Sequence, residues 1–404
     1  MAAVSPGRLA AYAVVRRVFE QGAYADRALQ GEARELTPRD RALAKQLAFG
    51  TVQRHGTLAW IAARHVHREL EPAVSAALWL GLYELLYLRT AEHAAIAEAV
   101  ELAKPSPGHR LVNAVLRRVQ REGVELPGDD DPAGAAIRHS HPEWLVRLWW
   151  DQLGAEQTRA LLAADNEPAE VALRVNTLVD APGIALPPGR RDGDALVVDG
   201  PLDLVAGEAW RAGAVVAQSR AAQLVAPMVA PRPGERILDL CAAPGGKTTH
   251  LAALMGDEGE VVAVERHAGR AKALRATCER LRATCVTVVE ADARSFRADE
   301  PFDRVLLDPP CSGLGTLRSH PDLRWRMTPE TIDGLVAVQD ELLATARAAV
   351  RPGGRLVYST CTISAAEERV AGPERRQTLP HRDGTDGFYL AAEGAGGAPS
   401  AAVS

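Results

Sequence analysis

The sequence LDLCAAPGGKTTHLA, residues 238–252, joins a short apolar run to a glycine-containing loop and then to a segment with helical spacing. An apolar run bounded by turn residues is typical of a buried strand. Gly245 and Gly246 allow the backbone to approach a ligand closely. We therefore predict a strand, a loop that binds a nucleotide-like cofactor, and a helix.

The last third of the chain repeats this alternation. The apolar runs VVAVE, VTVVEAD, FDRVLLD and RLVYSTC are separated by segments with helical spacing, one of them around residues 329–350. Such an alternation predicts an α/β domain with a mostly parallel sheet and helices on both faces. Ligands of these sheets bind beyond the carboxyl ends of the strands.

Polar residues follow the predicted strands at that edge, namely Cys241, Glu265, Asp292 and Asp308. An acid after the second strand suits the two hydroxyls of a ribose, and Asp292 suits an adenine amino group. The loop is not GxGxxG, and Cys241 and Pro244 depart from the GxxxxGK[ST] phosphate loop. A cofactor with ribose and adenine but no pyrophosphate fits, and S-adenosylmethionine is that cofactor. The alternative is that Glu265 and Asp292 are only solvent-exposed residues at the ends of strands and bind no cofactor.

Two cysteines follow the next two strands. Cys311 stands in VLLDPPCSG (residues 305–313) and Cys361 in RLVYSTCT (residues 355–362). A buried structural cysteine is the ordinary alternative for either residue alone. Two thiols at adjacent strand ends, beside a cofactor loop, indicate covalent chemistry on a substrate next to the cofactor.

Composition limits the class of protein. The 404 residues, 47% of them hydrophobic, suffice for two or three domains. The cysteines form no CxxC pair and have no histidines at zinc spacing, so we predict neither a disulfide framework nor a metal site. No apolar run approaches the ~20 residues of a membrane span and no secretion signal is recognisable, which predicts a cytoplasmic protein without membrane contact.

The chain divides into five predicted segments. Residues 1–125 have apolar residues at helical spacing throughout, and residues 126–138 form a linker rich in Gly, Pro and Asp. Residues 139–218 combine a helical pattern with short apolar runs between Pro and Gly, which predicts a small α+β subdomain. Residues 219–392 carry the parallel-sheet domain, and residues 393–404 are predicted to be a disordered tail.

The motifs LDLCAAPGGKTTHLA, LLDPPCSGLGTLRSHPDLRW and YSTCT resemble the signatures of the Sun-type RNA cytosine carbon-5 methyltransferases. The stretches RDRALAKQLAFGTVQRHGTLAW (residues 39–60) and RLVNAVLRR (residues 110–118) resemble the NusB-like RNA-binding domain. The resemblance implies an all-α NusB-like domain, then a Rossmann-like class I methyltransferase domain that uses S-adenosylmethionine. Because bacterial family members combine these two parts, it also implies 16S ribosomal RNA as the partner. We predict a monomer.

The resemblance assigns roles to individual residues. Cys361 would be the nucleophile and Cys311 would assist product release. Asp308 would hydrogen-bond the cytosine around N3, and Lys247 would lie over the site, where its charge favours a thiolate. The cofactor-binding residues would be Cys241, Ala242, Ala243, Pro244, Gly245, Gly246, Lys247, Glu265, Asp292 and Asp308.

Charge patterns predict where RNA binds. The net charge of −5 argues against a generic nucleic-acid binder, but residues 1–125 carry 17 Lys and Arg against 13 Asp and Glu. Two basic runs there predict RNA contact, with a solvated helix face as the alternative. Beyond the Pro-Cys motif, basic residues interleaved with a tryptophan predict phosphate contact and base stacking. These residues are Arg318, His320, Arg324, Trp325 and Arg326.

The segment after Cys361 departs from the family pattern. Residues 364–371 leave little room for a helix before Gly372, whereas a parallel crossover normally needs a dozen or more residues. We predict that the helix and the strand after Cys361 are abridged, with DGFYLA (residues 386–391) kept as a terminal strand. An RNA-binding ribosome-assembly factor with a weakened methyltransferase domain is therefore the alternative function. A third candidate function is methylation of an exocyclic amine of a base.

Overall fold

A computed structural model gives the fold and describes residues 4–394 except 89, 181–182 and 201. Internal contacts divide the chain into two compact units. The first contains the residues up to Glu167 together with Leu317–Arg326. The second contains Pro168–Thr316 and the residues from Met327 onward.

The helices are given first, in chain order. They are α1 (Pro6–Gln21), α2 (Ala25–Glu32), α3 (Pro38–His65), α4 (Pro72–Tyr87), α5 (Glu92–Ala103), α6 (His109–Glu122), α7 (Pro132–His139), α8 (Glu143–Leu153), α9 (Ala155–Ala164), α10 (Glu208–Arg211), α11 (Arg220–Gln223), α12 (Val225–Val229), α13 (Gly246–Leu254), α14 (Ala268–Arg280), α15 (Leu323–Arg326), α16 (Pro329–Ala349) and α17 (Pro380–Asp383).

The strands follow the same order. They are β1 (Ala172–Val175), β2 (Gly189–Asp192), β3 (Ala195–Val198), β4 (Val215–Ala217), β5 (Arg236–Asp239), β6 (Glu260–Glu265), β7 (Val286–Glu290), β8 (Phe302–Leu307), β9 (Val350–Thr360), β10 (Glu374–Thr378) and β11 (Phe388–Gly394). No helix in the described part of the chain has the length and apolar character needed to cross a membrane.

The first unit is helical, as predicted for residues 5–122, and its described residues contain no strand. At the start of α3, Pro38 takes the first helical position, and the Asp40 N–H donates to Thr37 Oγ1 at 3.2 Å. This cap satisfies one of the backbone donors that every helix start leaves free. Leu47 and Leu58 of α3 then point into a single core shared by α1 to α6.

The sequence predicted segment boundaries at residues 125, 138 and 218. The two compact units defined by internal contacts have a different boundary, at Glu167. α8 and α9 belong with the first unit, whereas the sequence pattern grouped residues 139–165 with the β-containing subdomain. The reason is that α7 packs against α3 as well as against α8 and α9. The domain boundaries at 125, 138 and 218 stay predictions.

Two members of the predicted RNA-contact cluster make structural contacts within the first unit. Arg324 is fully buried, and its guanidinium donates to the backbone carbonyls of Ser140 at 3.0 Å and Asp165 at 3.2 Å. The Trp325 indole N–H donates to the Val52 carbonyl at 2.7 Å. A side chain that spends its donors on buried carbonyls cannot hold a phosphate. The prediction of phosphate contact was wrong for Arg324, because alternating basic and aromatic residues carry no signal of burial, whereas base stacking by the half-buried Trp325 stays a prediction.

The second unit begins with a small antiparallel sheet of order β2-β3-β1-β4. Leu173 of β1 and Val215 of β4 are fully buried in the core of this sheet. The α+β character predicted for this part of the chain is confirmed for residues 168–217.

A seven-stranded sheet of order β10-β11-β9-β8-β5-β6-β7 forms the rest of the second unit. The pairings among β5 to β9 are parallel, and β11 pairs antiparallel with both β9 and β10. Successive residues such as Ile237 and Leu238 enter cores on opposite faces, since side chains alternate along a strand. The prediction of a Rossmann-like, mostly parallel sheet covered on both faces is confirmed.

The segment after Cys361 is only partly abridged. A single 3₁₀ turn, Ala365–Glu367, replaces the crossover helix, as the short sequence required. The strand predicted to be abridged is present as β10, and it pairs with β11 over five residues. The predicted tail also begins too early, because Glu393 and Gly394 are still paired with β9. Residues 395–404 lie outside the described residues.

The buried guanidinium gives a test of the first unit. We expect Arg324→Met to lower the free energy of unfolding by about 2–4 kcal/mol, because buried carbonyl oxygens lose their donors while side-chain volume is kept. Urea unfolding followed by tryptophan fluorescence measures the change. Arg117→Met is the control, since exposed Arg117 contacts Gln120 on its own helix, and we expect a change within about 0.5 kcal/mol. Equal midpoints for the two variants would contradict the structural role of Arg324.

Candidate active site

The loop after β5 makes a tight turn into α13. Gly245 has φ of 105°, in the left-handed region that glycine tolerates. A Cβ at Gly245 would lie 2.7 Å from Leu274 Cδ1 of α14, so the position requires glycine for space as well. The loop backbone is thereby held close to the carboxyl edge of the sheet.

Asp239, the last residue of β5, supports this loop from below. The Thr248 hydroxyl in the first turn of α13 donates to Asp239 Oδ2 at 2.7 Å. Burial raises the pKa of Asp239 to about 7, the Thr248 hydrogen bond lowers it, and the charge of Asp308 raises it further. Asp239 is therefore an acid that titrates near neutrality beneath the loop.

Two further acids follow β6 and β7. Glu265 is buried, accepts from the His267 N–H at 2.9 Å and lies 3.3 Å from Arg270 Nε. Asp292 pairs with Arg294 at 2.7 Å, and the hydrogen bonds from Arg294 lower the pKa of Asp292 to about 2. Both carboxylates are therefore held at the edge where the sequence placed them.

Asp308 lies at the centre of this edge, directly after β8. Lys247 Nζ donates to its Oδ2 at 2.5 Å, and the Ser359 hydroxyl donates to its Oδ1 at 2.7 Å. Burial lowers the pKa of Lys247, but the charge and hydrogen bond of Asp308 outweigh that effect, so the pKa lies above its ordinary value. Lys247 is therefore a persistent cation, and its charge also acts on Cys361.

The two predicted cysteines come together. Their sulfur atoms lie 3.4 Å apart, within the range of a thiol hydrogen bond. The contact with Cys361 raises the pKa of Cys311 well above its usual value, and burial and the charges of Cys361, Glu367 and Asp308 raise it further. The two thiols therefore differ in environment, since a cation acts on Cys361 and anions surround Cys311.

One cavity of about 530 Å³ joins these groups. Its walls include seven of the predicted site residues: Cys241, Ala243, Glu265, Asp292, Asp308, Cys311 and Cys361. Lys247 reaches this site through its ion pair with Asp308 rather than by lining the cavity. Ala242, Pro244, Gly245 and Gly246 form the loop but are not among the described residues that line the cavity.

Sequence reasoning missed several polar residues of the site. The sequence could have indicated Ser359. It lies on β9, two residues before Cys361, and residues two apart along an extended chain point to the same face. No feature of the sequence indicated Arg174, since it stands in β1 of the small sheet. Its buried guanidinium donates to Thr249 Oγ1 at 3.0 Å and to Gln218 Oε1 at 2.8 Å, which ties the small sheet to the start of α13.

A buried network behind the two cysteines was also missed. It comprises Ser312, Gln339, Tyr358, Thr362 and Glu367, which are linked by hydrogen bonds. Glu367 stands in residues 364–371, the segment that was predicted to leave little room for a helix. No group of three or more His, Cys, Asp or Glu with metal-site geometry occurs among the residues that the structure describes.

The raised pKa of Asp239 predicts how stability depends on pH. Its pKa when folded lies above its unfolded value of 3.8, so the protonated form stabilises the fold below about pH 4. This contribution, on the order of a few kcal/mol, is lost as the pH rises through about 7. We expect Asp239→Asn to lose less unfolding free energy than wild type between pH 5 and pH 8, as measured by urea titration. Asp299→Asn, in an exposed loop, is the control; an Asp239→Asn profile parallel to wild type would contradict the prediction.

Three family models match the chain. A model described as 16S rRNA methyltransferase RsmB/F matches residues 226–372, the NusB family matches residues 5–121, and a RsmF/B-like ferredoxin-like domain matches residues 141–182. The last match overlaps α8, α9 and β1, and so crosses the boundary between the two compact units.

Whole-chain comparisons agree with these matches. Ribosomal RNA small subunit methyltransferase B of Vibrio cholerae is 35% identical, over 95% of this chain and 96% of that protein. The probable ribosomal RNA small subunit methyltransferase B of Synechocystis is 37% identical, over 89% and 86%. The crystal structure of PH0851 has the same fold, with a TM-score of 0.80 and 24% identity over 97% of this chain and 99% of that one. The chain therefore belongs to the RsmB/F family of ribosomal RNA methyltransferases.

Proposed function

We propose that this protein transfers a methyl group from S-adenosylmethionine to carbon-5 of a cytidine in 16S ribosomal RNA, through a covalent adduct with Cys361. The pair of sulfur atoms of Cys311 and Cys361, 3.4 Å apart in the cavity wall, is the observation that carries the proposal. Carbon-5 of cytosine becomes nucleophilic once a nucleophile has added to carbon-6, and a thiolate is well suited to that addition. Family membership supports the ribosomal RNA substrate.

The residues around the cavity fit S-adenosylmethionine. Glu265 offers a carboxylate to ribose hydroxyls, Asp292 offers one to an adenine amino group, and the Gly245 turn admits a close approach of the backbone. The volume of about 530 Å³ falls within the ~300–1,000 Å³ typical of small-molecule sites. The bound cofactor would supply an electrophilic methyl group.

We assign the first covalent step to Cys361. Its thiolate forms a bond to carbon-6, and the electrons of the 5,6 double bond move to carbon-5. Carbon-5 would then take the methyl group, as the bond between that methyl and the sulfonium sulfur of the donor breaks and its electron pair stays on the donor sulfur. The Lys247 ammonium, whose charge acts on Cys361, favours the thiolate that this step needs.

Asp308 is assigned to the cytosine edge around N3. Addition of sulfur at carbon-6 increases the negative charge on the ring at N3, so a proton supplied there stabilises the adduct. Lys247, in its 2.5 Å contact with Asp308, keeps a positive charge next to this position.

Release requires that the proton on carbon-5 leaves to a base and that the bond between sulfur and carbon-6 breaks. The electrons of the C–H bond re-form the double bond, and the Cys361 sulfur departs with the electron pair. Cys311 is assigned to assist this departure, because its thiol lies 3.4 Å from the Cys361 sulfur. The two thiols then have separate tasks, addition and release.

The NusB-like helices are proposed to bind the ribosomal RNA, and the protein is proposed to act as a cytoplasmic monomer without a metal ion. The alternative of an assembly factor with a weakened catalytic domain rested on the abridged segment after Cys361. With β10 and β11 present, the sheet edge beside Cys361 is complete. Calorimetry tests the alternative, because tight cofactor binding without methyl incorporation would favour it.

We expect Cys361→Ser to lower methyl incorporation into ribosomal RNA by about 1,000-fold or more, because a hydroxyl is a far weaker nucleophile. Incorporation of radiolabelled methyl groups measures the loss. The dissociation constant for S-adenosylmethionine should stay within about twofold of wild type. Full incorporation by Cys361→Ser would refute the assignment of the nucleophile.

We expect Cys311→Ser to accumulate protein covalently linked to RNA, because addition proceeds while release is slowed. A denaturing gel with labelled RNA detects the adduct, and bisulfite sequencing locates the methylated cytidine. The control is Cys278→Ala in α14, which lacks a place in the cavity wall and should turn over normally without an adduct. If Cys311→Ser methylates RNA at the wild-type rate without accumulating an adduct, product release depends on another group.

A further inference from the structure

We propose that Glu367 is a positioning residue that holds the two cysteine-bearing segments, and with them the two sulfur atoms, in register. This inference rests on the proposed function for its kinetic consequence, although the contacts that suggest it do not. Glu367 lies in the 3₁₀ turn of the shortened crossover and is fully buried. Burying a carboxylate is costly unless polar partners surround it, so its partners indicate its task.

The partners of Glu367 are the residues that directly follow the two cysteines. The Ser312 N–H donates to Glu367 Oε1 at 2.8 Å, and the Ser312 and Thr362 hydroxyls lie 2.5 and 2.8 Å from Oε2. Ser312 is bonded to Cys311, and Thr362 is bonded to Cys361. One carboxylate therefore fixes two chain segments that are 50 residues apart in sequence.

A second layer fixes the carboxylate itself. Gln339 of α16 donates from Nε2 to Glu367 Oε1 at 3.1 Å and to the Pro310 carbonyl at 3.0 Å. The Tyr358 hydroxyl contacts Gln339 Oε1 at 3.1 Å and the Glu367 carbonyl at 2.9 Å. Buried networks with their groups satisfied in this way are rigid, which suits sulfur atoms that must remain 3.4 Å apart.

The negative charge of Glu367 has a second effect, which is on the Cys311 thiol. The negative charge of Glu367 adds to the other causes that raise the pKa of Cys311. On the other side, the cation of Lys247 acts on Cys361. Glu367 therefore acts on Cys311 by its charge as well as by its contacts to the segment that carries this thiol.

Glu367→Gln tests both effects, because the amide keeps the shape of the side chain but loses the charge and one acceptor. Displacing reactive groups by even 1 Å can cost about 100-fold in rate, so we expect kcat to fall by about 10- to 100-fold. The KM for RNA and the dissociation constant for S-adenosylmethionine should stay within about twofold. Glu368→Gln is the matched control, since Glu368 contacts Gln377 instead and should keep wild-type kinetics.

A readout independent of turnover is the pH profile of Cys311 alkylation by iodoacetamide, measured by peptide mass spectrometry in a Cys361→Ser background. The sulfur of Cys311 displaces iodide as its proton passes to solvent, so the midpoint of the profile reports its protonation. With Glu367→Gln the midpoint should move to lower pH, whereas Glu368→Gln should leave it unchanged. A merely structural role for Glu367 would not shift this midpoint.

Thr362→Val provides a second test of the proposal in case the Glu367→Gln protein does not fold. The change keeps the side-chain shape and the Glu367 charge but removes one contact to Oε2. We expect it to lower kcat without moving the alkylation midpoint.

The proposal is overturned if Glu367→Gln folds, keeps kcat within about twofold of wild type and leaves the Cys311 midpoint in place. If wild-type protein methylates no cytidine, the proposed function fails, but the alkylation profile still decides the role of Glu367.

Discussion

The parallel pairing of β8 with β5 and β9 is the constraint on which the site depends. In this register Leu306 lies opposite Asp239 and Val357, and Leu307 lies opposite Tyr358. The residue after each pair then falls at the same edge, so that Asp308 meets Ser359 at 2.7 Å. A slip of one residue would turn the β9 side chains to the opposite face, since strand side chains alternate. Residues of the candidate site that are distant in sequence are thus aligned by the backbone hydrogen bonds of the sheet.

Much of this edge was predictable because strand ends are local features. Cys311 and Cys361 each follow an apolar run, and the carboxyl ends of parallel strands meet at one edge. Their contact at 3.4 Å follows from two local patterns and one topological rule. Glu265 and Asp292 were found by the same reasoning.

The failures had a different physical origin. Arg324 was read as an RNA-binding residue because composition shows charge but not the carbonyl groups of Ser140 and Asp165, which lie more than 150 residues away in sequence. β10 was predicted to be abridged because a parallel crossover normally includes a helix. Here the antiparallel strand β11 lies between β9 and β10. Both errors concern partners that only the folded chain supplies.

The short crossover and the buried carboxylate have a common explanation. β10 lies two strands from β9, about 10 Å away at the usual strand spacing, which residues 361–373 span without a helix. A crossover without a helix has few intrinsic hydrogen bonds, so its conformation must be fixed by tertiary contacts. Glu367 supplies them by accepting from both cysteine-bearing segments, and in return its charge is surrounded by donors. The fold of this short crossover therefore depends on the same contacts that hold the two cysteine-bearing segments together. Local stability and the distance between the two sulfur atoms are coupled for this reason.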